Sequence, residues 1–419
     1  MQNNREYKGY SATFENNDRH KTILIPWFTD FLSPFIPNIA KLAGYKFVNC
    51  PQTSRKSAEI GLKYGHNEVC YPALLVLGDL IAEIQTGKYS LDNLAVAITQ
   101  TGGQCRATNY VSLIKNGLKN AGFGHIPVIA VAFGGTHNNE QSGFELPVFK
   151  IFNIAFNAFM FGDFLNQMYS AVVVREKNRG ETKKMFDFYI NAANEIILQN
   201  RYKKLSPLLE KAVEDFNKIS IFEDKKFEKI GLVGEIFVKY NNFGQAHITD
   251  WLREQGCEVQ TPPMLDFFMQ LFINQKINDK NGIKRISKIT KIIMPFLQKF
   301  LEKRISKFEK VLKNFRFYEA QHSIFEKANY AEEIISLSNQ FGEGWLIAGE
   351  AASFARRGIN KLVCIQPFGC IANHVVAKGI EKRLKHFYPP LNLLFLDIDS
   401  GMAEVHLQNR LHFLVKQEK

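Results

Sequence analysis

The sequence has little in common with membrane or secreted proteins. It has no run of about 18 uncharged apolar residues, the length that a membrane-crossing helix needs. The most apolar stretch, residues 146–174, is interrupted by Lys150 and Asp163, and we expect it to form a buried helix. Residues 1–21 lack the apolar core of a secretory signal. We therefore expect a cytoplasmic protein with no membrane partner.

Cysteine is scarce, and compact metal-binding spacings are absent. The 419 residues include 6 cysteines, and no CxxC pair occurs among them. Structural disulfides are rare in the cytoplasm. We therefore expect each cysteine to be either a packed thiol or a metal ligand.

The charge is one-sided, because 53 Lys and Arg residues against 41 Asp and Glu give a formal net charge of +12. Such a charge would suit nucleic acid, an acidic protein or a phosphate-bearing ligand. However, the basic residues of 281–315 alternate with apolar residues at helical spacing, which is typical of solvated helix faces. No nucleic-acid-binding fingerprint accompanies them, and we expect no nucleic-acid partner.

Short apolar runs alternate with helical patterns in two parts of the chain. The first part predicts strands at 22–27, 46–51, 94–100 and 126–133, and the second at 229–238, 257–263, 361–367 and 391–399. Strands separated by helices indicate parallel βαβ units. The sequence therefore predicts an α/β fold with two related open parallel-sheet domains of the Rossmann or flavodoxin-like type, helical insertions, and a cleft between the domains.

The same patterns predict where the domains begin and end. We expect a flexible N-terminus (1–20), a first α/β domain (21–145) and a helical connector (146–228). The second α/β domain would combine 229–263 with 341–419, around a helical insertion (264–340). In each domain a cysteine follows the third strand, and ligands of open parallel sheets bind at the carboxyl ends of strands. We therefore expect Cys105 and Cys370 to face each other across the cleft.

Three cysteines precede helical patterns, and two of them also follow glycine. Cys70 is followed by Pro72, which suits the first turn of a helix. Glycines that permit close approach of a bulky group stand before the other two cysteines: Gly102 and Gly103 before Cys105, and Gly369 before Cys370. A helix N-terminus favours the thiolate, which binds metal. We expect a metal cluster here, although buried packing thiols or redox-active or nucleophilic cysteines are alternatives.

Other polar residues near these cysteines are weaker candidates. Gln366 and His374 would hydrogen-bond to a cluster, and Cys364 lies six residues before Cys370. A packed strand thiol for Cys364 and an ordinary surface histidine for His374 are the alternatives. Glu343 and Trp345 would line the cleft or begin a helix. Cys50 and Cys257, on second strands, are expected to be buried packing residues.

Several blocks of the sequence resemble a known family. "NEVCYPALLVLG", "TQTGGQCRATNY", "TPPMLDFFM", "GEGWLIAGE" and "CIQPFGCIANHVVAKGI" are similar to blocks of the 2-hydroxyacyl-CoA dehydratase-related proteins. Within them, the chain most resembles the CoA protein activase-like branch (DUF2229). The resemblance extends over residues 20–415.

The resemblance implies a cofactor and a partner. In that family three cysteines hold a 4Fe-4S cluster or half of a double cubane, which would make Cys70, Cys105 and Cys370 ligands, with Cys364 as a neighbour. A separate activase of actin-like fold hydrolyses ATP and supplies a low-potential electron, which the dehydratase-type protein passes to a substrate, possibly an acyl-CoA. The alternative is a non-catalytic binding or regulatory partner of an activase.

Overall fold

The computed structural model describes residues 12–66, 68–100, 104–132 and 139–416, and it shows an α/β protein with two four-stranded parallel sheets. The expected α/β class with two open parallel sheets is therefore confirmed. Most of the expected flexible N-terminus, and the pair Gly102 and Gly103, lie outside the described residues.

The first sheet has the strand order β2-β1-β3-β4. Its strands are β1 (Thr22–Ile25), β2 (Lys46–Asn49), β3 (Leu94–Gln100) and β4 (Val128–Ala132). Its helices are α1 (Ile36–Leu42), α2 (Arg55–Tyr64), α3 (Tyr71–Ile84) and α4 (Tyr110–Asn120). All four residues of β1 are buried, because helices cover both faces of a parallel sheet. We call residues 12–132 the first half.

The second sheet repeats this order as β6-β5-β7-β8. Its strands are β5 (Glu228–Gly234), β6 (Cys257–Gln260), β7 (Lys361–Pro367) and β8 (Asn392–Ile398). Its helices are α8 (Ile236–Tyr240), α9 (Ile248–Glu254), α13 (Trp345–Arg356), α14 (Glu381–Phe387) and α15 (Glu404–Lys416). We call residues 228–263 and 341–416 the second half.

Each half has a topological switch point. The chain adds its second strand on one side of its first strand, and its third and fourth strands on the other side. β1 pairs with both β2 and β3, and β5 pairs with both β6 and β7, all in parallel. Crevices at such switch points, at the carboxyl ends of the strands, are the usual ligand sites of open α/β sheets. Cys105 follows β3 and Cys370 follows β7, so both cysteines lie at these positions.

Six further helices form a helical body, three of them between β4 and β5 along the chain and three between β6 and β7. They are α5 (Val148–Val173), α6 (Glu181–Leu198), α7 (Leu205–Lys218), α10 (Leu265–Lys280), α11 (Lys288–Leu312) and α12 (Ile324–Ile334). Their buried apolar residues form one continuous core with α13 and with parts of β7 and β8. The helical body is therefore packed against the second sheet and is not a separate unit with its own core.

α5 is the one described helix that is long and apolar enough to cross a membrane by length and composition alone. However, 56% of its most apolar window is buried inside the protein. It packs against α6, α7, α10 and α11. These contacts are those of a core helix, as the interrupting Lys150 and Asp163 led us to expect.

Two buried ion pairs stabilise the core, one within the second half and one within the helical body. Lys239 of α8 donates to both carboxylate oxygens of Glu350 in α13, at 3.2 and 3.1 Å. Lys327 of α12 donates to Asp266 of α10. Because these side chains are nearly inaccessible, loss of one partner would leave an uncompensated charge in the core.

The closest helix contact in the first half lies between α2 and α3, and it depends on two glycines. A Cβ atom on Gly61 would overlap the carbonyl oxygen of Leu74, and one on Gly78 would overlap that of Ser57. The two backbones therefore approach each other directly. Since Cys70 is the residue immediately before α3, this contact also fixes where that cysteine lies.

We predict that Gly78→Ala destabilises the protein by about 2 kcal/mol or more, because the new methyl group meets backbone that cannot move aside. Thermal unfolding followed by circular dichroism measures this loss. Gly379→Ala is the control, because a Cβ there meets no atom within 4 Å. Equal melting temperatures for the two variants would contradict the described α2–α3 contact.

Candidate functional site

Residues of both halves line one small cavity, of about 20 Å³, which we call the boundary pocket. The first half contributes Cys70, Cys105 and Tyr110, and the second half contributes Glu235 and Cys370. The three cysteines are far apart in the sequence, and the two switch points bring them to the same cavity. Cys105 and Cys370 were expected to face each other across a cleft; both line this cavity, and the cleft itself stays a prediction.

Cys70 is held at the junction by contacts with both halves. It is the N-cap residue of α3, with Pro72 in the first turn as expected, and its Sγ lies 2.9 Å from the hydroxyl oxygen of Tyr110. The next backbone N–H, that of Tyr71, donates to the carbonyl oxygen of Phe368 in the second half, at 3.0 Å. The beginning of α3 is thereby connected to the loop that carries Cys370.

Cys105 begins a short 3-10 helix, Arg106–Asn109, ahead of α4. The backbone N–H of Ala107 points to Cys105 Sγ at 3.5 Å. Arg106 donates to the carbonyl oxygen of Glu68 at 2.8 Å, which keeps its guanidinium at the rim of the pocket. The expected helix beginning near Cys105 is therefore present, although its first turn is narrower than an α-helix.

Cys370 follows Gly369, whose backbone conformation and close neighbours disfavour any residue with a side chain. Gly369 has φ +75°, and a Cβ there would come within 3.1 Å of Cys70 Cα. The side-chain amide of Asn373 lies 3.1 Å from Cys370 Sγ. The helix after Cys370 begins with a π-helical segment, Ala372–Ala377. Gly369 was expected to permit the close approach of a bulky group, and in the structure the backbone of Cys70 lies beside it instead.

Two carboxyl groups lie next to the thiols. Glu235 directly follows β5, lines the pocket and accepts from the backbone N–H of Val238 at 2.9 Å. Glu343 is buried and accepts from the N–H of Ile236 at 2.8 Å. Burial, followed by the charge of Glu343, raises the pKa of Glu235 to about 8. Burial also raises the pKa of Glu343. Glu235, whose pKa is about 8, therefore holds a proton at neutral pH.

Burial also dominates the protonation of the three thiols. It raises the pKa of Cys105 to about 12, with Glu343 and Glu235 as further causes. It raises the pKa of Cys70 and, well above its usual value, that of Cys370. The thiolate character that we expected from nearby helix N-termini is therefore wrong in this structure. The helix ends do not offset the lost hydration and the neighbouring carboxyl groups.

The expectation of a metal-binding, iron–sulfur protein is also wrong. Among the described residues, no group of three or more His, Cys, Asp or Glu side chains is placed to hold a metal ion. The pocket thiols are instead each in contact with a local protein group: Tyr110 at Cys70, the N–H of Ala107 at Cys105 and Asn373 at Cys370.

The remaining candidates of the sequence lie away from the pocket lining. Cys364 is buried in β7, 3.8 Å from the side-chain oxygen of Asn373. Gln366 is buried and donates to the carbonyl oxygen of Asn373, whereas His374 is partly exposed beside Asp397. Trp345 is fully buried, with its indole N–H on Asn274. Cys50 and Cys257 belong to core clusters, and Gly102 and Gly103 are outside the described residues.

Sequence reasoning missed three residues of the pocket: Arg106, Tyr110 and Glu235. Arg106 and Tyr110 are within five residues of Cys105 and could have been proposed from that proximity. Glu235 directly follows the first strand of the second half, which is a switch-point position, and its placement was a usable signal. Tyr110 could not have been assigned to Cys70, because their contact joins residues 40 positions apart.

We predict that alkylation of Cys105 by iodoacetamide accelerates as pH rises from about 8 to 10, because only the thiolate reacts. Glu343→Gln should increase the rate at about pH 9, since removing the carboxylate charge lowers the pKa of the Cys105 thiol. Peptide mass spectrometry measures each site. Cys257, whose charged neighbours are Glu228 and Lys361, is the internal control. An unchanged Cys105 rate in Glu343→Gln would contradict this electrostatic description.

Comparisons with known proteins do not assign a family. No protein-family model matches the chain, and no curated protein matches it. The resemblance to 2-hydroxyacyl-CoA dehydratase-related proteins therefore depends on its sequence blocks alone. The description of the boundary pocket depends only on the geometry of the structure.

Proposed function

We propose that this chain is a cytoplasmic protein of the 2-hydroxyacyl-CoA dehydratase type, which binds a substrate such as an acyl-CoA. A low-potential electron passes directly from a separate ATP-hydrolysing activase, which is oxidised, to that bound substrate, which is reduced. The boundary pocket is its reaction site. The proposal assigns no metal centre to the chain. The observation that carries it is the meeting of three thiols and a proton-bearing carboxyl group at the switch points of two parallel sheets.

The carboxyl pair supports chemistry in which a hydroxyl group leaves. A 2-hydroxyacyl group loses its hydroxyl more readily when an acid protonates that oxygen. Because the pKa of Glu235 is about 8, its carboxyl group carries the proton at neutral pH. Glu343, which is buried next to it, provides the negative charge that helps to keep this proton in place. Glu235 is therefore our candidate proton donor.

The pocket must open before any substrate enters. Its volume, about 20 Å³, has room for about one water molecule and is far too small for an acyl group. The contacts that close it join the two halves: Tyr71 N–H to Phe368, and the backbone approach between Gly369 and Cys70. We propose that the two halves separate here into the cleft expected from the sequence, and that the ATP-dependent partner drives this movement.

The alternative function is a non-catalytic binding or regulatory partner of an activase. The closed pocket and the protonated thiols favour it, because a protein that never opens the pocket would not need reactive groups there. The two functions differ in what ATP and an activase do to the pocket. In a purely regulatory partner, complex formation would leave the pocket closed.

We predict that an activase of the resembled family, encoded in the same genome, together with ATP accelerates alkylation of Cys105 and Cys370 by about tenfold or more. The physical reason is that opening exposes thiols that are otherwise accessible only in rare fluctuations. Quantitative peptide mass spectrometry after a short iodoacetamide pulse measures the rates. Parallel samples contain the activase without ATP, or ATP without the activase.

Cys50 and Cys257 are matched controls within the same molecule, because both are buried in core clusters away from the pocket. Their rates should not change. A rise at all cysteines would indicate general unfolding. If the complex forms but Cys105 and Cys370 react no faster with ATP than without it, the proposed gated reaction site is wrong and the regulatory alternative gains support.

A further inference from the structure

The N-terminal half of α11 is not packed against the rest of the protein. Every buried residue of this helix, namely Leu301, Phe308 and Leu312, lies beyond residue 300. Large apolar side chains before that point are exposed, with 71% of Phe296 and 69% of Ile289 accessible. We call five of these exposed residues the α11 apolar face: Ile289, Ile292, Ile293, Phe296 and Phe300.

Helical spacing brings these five side chains to one side of the helix. Their separations of three, four and seven residues place neighbours above one another along the helix surface. Lys303 and Lys307 follow Phe296 and Phe300 by seven residues each, so they continue the same side toward the C-terminus. Lys288 and Lys299 flank it. One surface thus combines an apolar section with a row of exposed lysines.

This segment has little support from its own contacts. Helical stability in proteins comes mostly from packing of an apolar face, and here that face is exposed. Pro295 lies inside the segment and cannot donate a hydrogen bond to the preceding turn. The described anchor of its first turns is the ion pair between Lys291 and Asp279, at 2.6 Å. A bound partner would supply the missing packing.

The charges on this surface indicate what kind of partner fits. Among the described residues, no carboxylate forms an ion pair with the lysines of this surface, namely Lys288, Lys299, Lys303 and Lys307. A second copy of this chain would bring these lysines against one another. An anionic lipid surface would also attract Lys303, and vesicle binding is therefore one of the outcomes that the test below separates. An acidic amphipathic protein segment offers both an apolar stripe for Phe296 and carboxylates for Lys303.

We propose that the α11 apolar face is the docking site for an amphipathic helix of a partner protein, with an apolar stripe flanked by Asp and Glu. The partner's apolar side chains cover Ile292 and Phe296, and its carboxylates pair with Lys299 and Lys303. This mode is the laying of an amphipathic helix along an apolar surface, with charge fixing the register. It is independent of the boundary pocket and holds whether or not that pocket is a reaction site.

The test uses the full chain and two synthetic amphipathic helical peptides with the same leucine stripe, one flanked by Glu and one by Lys. Fluorescence anisotropy should show salt-sensitive binding of the Glu-flanked peptide only. Phe296→Ser and Lys299→Glu should each weaken it by about tenfold, as expected for central anchors. Neither change disturbs the core, because both side chains are exposed.

Two matched controls test whether the effect belongs to this surface. Phe413→Ser removes a phenyl group that is 74% exposed on α15, and Lys382→Glu reverses an exposed charge on α14. Both should bind the peptide as the unaltered chain does. Equal weakening by these controls, or no binding of the Glu-flanked peptide, overturns the proposal. So does preferential binding to phosphatidylglycerol vesicles, or a dimer in sedimentation velocity, that Phe296→Ser abolishes.

Discussion

The contact between the beginning of α3 and the loop after β7 is the constraint on which the candidate site depends. The N–H of Tyr71 donates to the carbonyl oxygen of Phe368, and a Cβ on Gly369 would come within 3.1 Å of Cys70 Cα. Through this contact the two sheets present their switch points to the same cavity. Without this contact, Cys370 would lie apart from Cys70 and Cys105, which both belong to the first half.

Burial decides the chemistry of that cavity more than any single charge does. It is the largest cause of the raised pKa at all three thiols and at Glu235. Proteins place carboxyl groups in such surroundings when they need a proton donor near neutral pH. The same surroundings keep the thiols protonated. A closed pocket and an open one would therefore differ in charge state as well as in access.

Much of the fold could be predicted because parallel strands leave long apolar runs between helical patterns, as at 94–100 and 361–367. The positions of Cys105 and Cys370 followed from the same pattern, since the carboxyl ends of strands are fixed by topology. Contacts between distant segments could not be predicted. The pairing of Tyr110 with Cys70 and the approach of Glu343 to Ile236 depend on how the halves meet. The protonation of the thiols depends on the same three-dimensional surroundings. Helix position alone therefore predicted a lowered thiol pKa, whereas burial raises it.

The most direct measurement is intramolecular cross-linking of the native protein with a short bifunctional thiol reagent, followed by peptide mass spectrometry. If both halves line one cavity, as the structure indicates, the product joins Cys370 to Cys70 or to Cys105. Cys50 and Cys257, in separate core clusters, remain unlinked. A protein in which Cys370 is modified singly and never linked to either cysteine of the first half would contradict a shared pocket.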